Sequence, residues 1–235
     1  MSVRNRGLAG LAALSAAVAV QLAGAAPAMA ETKTGWVGGT PPVAGTVYLH
    51  SSTINNVPRP TASSMIYTSF GTLAPAGVMG AKARLFKEGS LCSATDYVYN
   101  TLPKNSQSVA VARDCGTGYY NSHGFVAVNN AGTVSEYVTF PTDPVLFTST
   151  AALAAPAGPA TNARGQSLGS AAESKSDSDL PDLVKAWATN GKPGYVKSDD
   201  LSSTSAGDRA GNSRVIDVYS SDGSTVVGQF KITTS

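Results

Sequence analysis

Between Glu31 and about Phe147, glycine and proline divide the chain into runs too short for long helices. Gly38-Gly-Thr-Pro-Pro42 and Pro58-Arg-Pro60 are two such breaks. The runs between them are rich in Val, Tyr, Thr and Phe, as in Gly45-Thr-Val-Tyr-Leu49 and Ser64-Met-Ile-Tyr-Thr68. Successive side chains of a strand point to opposite faces, so a half-buried strand alternates apolar with polar residues. Ala81-Lys-Ala-Arg-Leu85 does so, with Ala81, Ala83 and Leu85 on one face and Lys82 and Arg84 on the other. Ser108-Val-Ala-Val-Ala-Arg113 repeats the pattern through Val109 and Val111, and Gly124–Val128 and Val134–Phe140 complete the set. Short, evenly spaced strands without a long helix-period segment predict a mainly β fold, with a β-sandwich or barrel-like N-terminal domain. Asn129-Asn-Ala-Gly132 predicts a hairpin turn between the last two runs.

Composition changes at Thr148. The stretch 148–160 is uncharged and rich in Ala and Pro, which marks a semi-stiff linker. A smaller α+β or β module over 161–235 follows. Its end reads as a hairpin, Val215–Tyr219 and Ser224–Ile232 about Asp222-Gly223, a pair suited to a type I′ turn.

The first thirty residues read differently from the rest. Arg4 and Arg6 precede an apolar run from Leu8 to Val20, and Ala28-Met-Ala30 supplies small residues for cleavage. This order predicts a signal peptide over 1–30. The apolar run is short for a membrane span, so a released product with no membrane anchor is expected. Loss of Arg4 and Arg6 would bring Lys+Arg from 17 to 15, level with the 15 Asp+Glu. A neutral chain lacks the clustered basic face that nucleic-acid binding requires, so no nucleic-acid partner is expected. Lys82, Arg84 and Lys87, its densest basic cluster, read as the solvent side of a strand. Cys92 and Cys115 are the two cysteines, and an even count in an oxidising compartment predicts one disulfide.

Several stretches carry a resemblance. Gly165–Ala171, Pro181–Val184, Asn190–Leu201 and the final hairpin resemble a small module of Gram-positive exported or membrane-bound proteins. Ala83–Lys87, Leu91-Cys92, Cys115–Tyr120 and Ser122-His-Gly124 are similar to small secreted proteins of high-GC Gram-positive bacteria. The resemblance implies export and modularity; it implies no activity.

Motifs for chemistry are sparse. Gly165-Gln-Ser-Leu-Gly169 fits G-x-S-x-G, but a nucleophile elbow needs a preceding strand and a later histidine, and His123 is the last one. His50 and His123 cannot furnish a zinc site, and Pro181 breaks any calcium loop through Asp177, Asp179 and Asp182. No metal and no cofactor are expected. Alternation puts Tyr97 and Tyr99 on one face, where a row of rings would either stack on sugars or cover the core. The candidate ligand-binding residues are Tyr97, Tyr99, Tyr119, Tyr120 and His123. The expectation is a secreted, non-catalytic protein, binding or structural at the cell envelope or in the medium, with an extracellular glycan or protein as partner. The alternatives are a secreted hydrolase using His123 and a secreted inhibitor or antibacterial protein.

Overall fold

The computed structural model describes residues 30–149, 160–202 and 213–233. The expected signal peptide, apart from Ala30, and most of the expected linker lie outside the described residues. The fold is mainly β, as the alternating runs require.

The first sheet is antiparallel, in the order β1 (Thr32–Thr34), β3 (Tyr48–Asn55), β4 (Thr61–Thr68), β9 (Ser106–Ala112), with β2 (Gly38–Gly39) also on β3. Its inner face supplies Ile54, Ala62, Ile66, Val109 and Val111 to the core. A second sheet runs β12 (Thr133–Val138), β11 (Phe125–Asn130), β5 (Met79–Lys82), β8 (Val98–Tyr99). The third begins with β13 (Val145–Phe147), β10 (Gly118–Ser122), β6 (Arg84–Lys87) and β7 (Ser90–Thr95). Strands β5 and β6 are one run broken at Ala83, so a single segment serves both sheets. Ala81, Ala83 and Leu85 all point into the core shared with the first sheet, as their alternation predicts.

The third sheet continues into the C-terminal part of the chain. Beyond β7 come β18 (Val226–Thr233), β17 (Arg214–Tyr219), β16 (Pro193–Lys197), β15 (Leu183–Trp187) and β14 (Leu168–Gly169). Strand β7 pairs in parallel with β18 through Ala94 and Thr95, and with β15 through Leu91. The two contacts close β15–β18 into a small ring with β7 as its seam. Inside lie Phe86, Leu91, Val184, Val196, Val218 and Phe230. The two halves of the chain therefore share one sheet.

Both hairpins form, but the type I′ turn expected at Asp222-Gly223 is found instead in the β11–β12 connection. In the β11–β12 pair Asn130 faces Thr133, and Ala131 (φ 51°) and Gly132 (φ 95°) both have positive φ, as a type I′ turn needs. The β17–β18 connection uses Gly223 alone at positive φ (70°), after a turn in which the Gly223 amide donates to the Ser220 carbonyl. Asp222 stays out of the left-handed region because its carboxylate accepts from the Ser224 and Thr225 amides and the Thr225 hydroxyl. The aspartate acts as a local cap.

The disulfide joins Cys92 to Cys115 with Cα atoms 6.1 Å apart. Cys92 lies inside β7 rather than at its end, and Cys115 follows β9, so the bridge ties the seam strand to the opposite sheet.

Candidate functional site

Lys82, Arg84 and Lys87 are not on a solvent face. They are 5%, 3% and 1% exposed, which corrects the reading of this cluster. Alternation does turn Lys82 and Arg84 away from the first core, but the segment 171–179 lies over them. The Lys82 ammonium meets the Asp177 carboxylate at 2.6 Å. Arg84 donates through Nε to the His123 carbonyl (2.9 Å) and through Nη1 to the Ala171 carbonyl (3.1 Å), and its guanidinium lies 4.0 Å from the Phe125 ring centroid. Lys87, displaced by a register shift between Leu85 and Phe86, sits over the Trp187 ring at 4.5 Å. Burial pulls the Arg84 pKa down to about 10, against the pull of Asp177, and the group stays charged. Tyr97 donates to Glu136, whose other carboxylate oxygen accepts the Asp177 amide at 3.1 Å. Asp177 is thus held by internal contacts with Lys82 and Glu136. The cluster is a latch between the two halves of the chain, and its void of about 10 Å³ has room for one water at most.

The candidate residues fall into different surroundings. His123 is buried, with Nδ1 facing the Arg84 guanidinium at 3.4 Å. Desolvation first, and the Arg84 charge second, push its pKa down to about 3. At neutral pH it is an uncharged, weakly basic group, far from the near-neutral value that suits a general base. Tyr97 and Tyr99 do share a face, with ring centroids 6.0 Å apart, and both are half-buried. Burial and the neighbouring Glu136 hold both phenols neutral. Tyr119 and Tyr120, adjacent in β10, point oppositely. The first is exposed; the second donates to the Gly116 carbonyl and accepts the Cys115 amide beside the disulfide. The five candidates do not converge on one site. Ser167, the centre of the G-x-S-x-G pattern, donates its hydroxyl to Asp182 at 2.9 Å and accepts the Asp182 amide at 3.0 Å. The pair pins the start of β14 to that of β15.

One concavity lies elsewhere, at the loop end of the sandwich. Three turns build it. The first is Val43–Thr46, closed by reciprocal Val43 and Thr46 backbone bonds, with Ala44 and Gly45 at positive φ. The second is the loop 69–78 between β4 and β5, and the third is the β11–β12 turn. Between them lies a groove of about 310 Å³. Tyr48 and Ala74 form a buried floor, Val43, Leu73 and Val78 give apolar walls, and Thr68, Thr72 and Asn129 supply hydroxyl and amide groups. Among the described residues, no charged side chain lines it. Burial raises the Tyr48 pKa, so its phenol is neutral too.

Leu73 of the groove wall is 68% exposed, and Phe70 and Leu102, in the loops that carry that wall, are 91% and 65% exposed. They belong to two loops held together by bonds between Ala74 and Lys104 and from the Thr68 amide to the Asn105 carbonyl. The sequence carried a signal for this that the reading of motifs passed over. Phe70 and Leu73 are bulky apolar residues inside a Gly- and Pro-rich loop, where neither core packing nor turn chemistry demands them.

The chain matches no known family, no curated protein and no solved structure. No helix among the described residues is long and apolar enough to cross a membrane.

Proposed function

We propose that this is an exported, non-catalytic binding protein that engages an extracellular glycan or protein through its loop end, at the cell envelope or in the medium. The observation that carries this reading is the uncharged groove, with Phe70, Leu73 and Leu102 exposed on the loops that carry its wall. Ligand sites are typically concave, mostly apolar and fitted with a few polar groups for orientation, as this groove is. Its neutrality suits a neutral ligand such as a sugar, with Phe70 available for stacking. The buried cations, carboxylates and His123 are taken up by internal contacts, which supports a binding rather than a catalytic role. The disulfide fits an oxidising compartment.

The test is retention. Purified protein passed over cell-wall and polysaccharide fractions should be retained, and F70A/L73A should lose most of that retention at an unchanged melting temperature. Equal retention of the double variant, or passage of the wild type through every fraction, would sink this reading.

A further inference from the structure

We infer that Lys82 and Asp177 condense into an intramolecular amide that joins the two halves of the chain covalently. Neither residue belongs to the groove. Lys82 ends β5, and Asp177 opens a short 3-10 turn over Asp177–Asp179, 95 residues further along. Alternation turns Lys82 away from the first core, and the segment 171–179 closes over it, so both side chains leave water as the fold forms. The Lys82 Nζ lies 2.6 Å from Asp177 Oδ2. That contact puts the nitrogen roughly 3 to 4 Å from the carboxyl carbon, the separation of a near-attack geometry.

The surroundings fix the pair and keep it dry. The Tyr97 and Phe125 rings stand 5.7 and 5.9 Å from Nζ. Glu136 accepts the Asp177 amide at 3.1 Å through one oxygen and the Tyr97 hydroxyl through the other, which holds the aspartate in place. Arg84 holds the start of the covering segment through the Ala171 carbonyl (3.1 Å). Two reactants fixed in this way react as if at an effective concentration on the order of 10⁵ M or more. Arg214 and Asp96 are similarly buried, but a guanidinium keeps its proton and offers no free amine. Lys33 and Glu31 meet at 3.0 Å on the surface, where water solvates both charges. Of these three pairs, only Lys82 with Asp177 brings an amine onto a carboxylate in the interior.

The chemistry needs nothing from outside the chain. A charge in a dry interior is costly, and the pair sheds both charges when one proton crosses the contact from the ammonium to the carboxylate. The amine lone pair then attacks the Asp177 carboxyl carbon. The C–N bond forms, the bond from that carbon to its protonated oxygen breaks, and the hydroxyl leaves as water with a proton from the nitrogen. Ammonium and carboxylate become amide and water, with no oxidant, reductant or co-reactant. The void of about 10 Å³ bordered by Lys82 and Asp177 has room for one water at most, which is what the step releases. Unlike the Cys92–Cys115 bridge, the product would survive a reductant.

The experiment is intact-mass spectrometry of the purified protein, denatured and with its disulfide reduced, followed by tryptic peptide mapping. With the N-terminus fixed by sequencing, the chain should be lighter than its sequence by one water. Trypsin should pass over Lys82, and a branched peptide should join the segment carrying Lys82 to the segment carrying Asp177. K82R, which keeps a cation opposite Asp177, and D177A should both show the full mass. A full mass in the wild type overturns the inference. So does a deficit that persists in D177A, which would place the lost water elsewhere, as in a succinimide at Asp222-Gly223. The wild-type peptide map decides even where a variant fails to fold, since a deficit without the branched peptide also overturns the inference.

Discussion

His123 couples the fold to pH through one side chain. Its folded pKa lies near 3, below the ordinary value of 6.5, because burial and the Arg84 charge both oppose protonation. Above pH 6.5 neither folded nor unfolded chain binds that proton, and the full stability is present. Between pH 6.5 and about 3 the unfolded chain takes up a proton that the folded chain refuses, so stability falls as the pH drops. The loss should be on the order of a few kcal/mol. Replacing His123 by Gln, which can still accept from Arg84, should flatten the melting-temperature profile over that range. An unchanged slope would remove His123 from this role and point to His50, whose pKa burial also lowers. The sequence identified His123 as a singular titratable group. It could not show Arg84 against it, because that contact needs the bend at Ala83 and the cover of Ala171.

At the scale of elements, Asp96 and Arg214 clamp the ring to the sandwich. Arg214 donates to both Asp96 oxygens (2.9 and 3.0 Å), to the Leu201 carbonyl (2.9 Å) and to the Asp200 carbonyl. Both side chains are about nine-tenths buried. Breaking such a pair from one side strands a charge in the interior. Asp96→Ala should therefore cost roughly 3 kcal/mol in urea unfolding; a loss below about 0.5 kcal/mol would show that Arg214 finds water instead. Strand by strand, the alternating runs and both hairpins were legible, since period and turn chemistry are local. The turn type expected at Asp222-Gly223 was not. Ala131 enters the left-handed region because Asn130 and Thr133 pair across it, and Asp222 avoids it by capping its neighbours. Pairing and capping decided against residue preference in each case.

For the whole molecule, the shared sheet implies one cooperative unit. Trp187 is fully buried at the junction, its carbonyl accepting from Arg113 at 2.9 Å, while Arg113 also donates to the Cys92 carbonyl (2.8 Å) beside the disulfide. Unfolding followed by tryptophan fluorescence should coincide with loss of far-ultraviolet circular dichroism, in a single transition. Two separated transitions would show that the halves fold independently. The sequence marked the change in composition at Thr148, and it did not reveal that the segments on either side complete each other. Pairings such as Ala94 with Ile232, and the three loops of the groove, join residues too distant in sequence to leave a local pattern.

The seam at β7 also sets an order in time. The Thr233 hydroxyl donates to the Ala94 carbonyl across a separation of 139 residues, so β7 is synthesised long before its neighbour exists. Contacts of that span are slow to find, because a long loop must close before any of them forms. Through that interval the ring has no closing strand, and the Ala94–Thr95 end of β7 waits with one flank bare. The ring is finished by its last strand to be made, and a chain cut short before Val226 would leave that flank open to any passing strand.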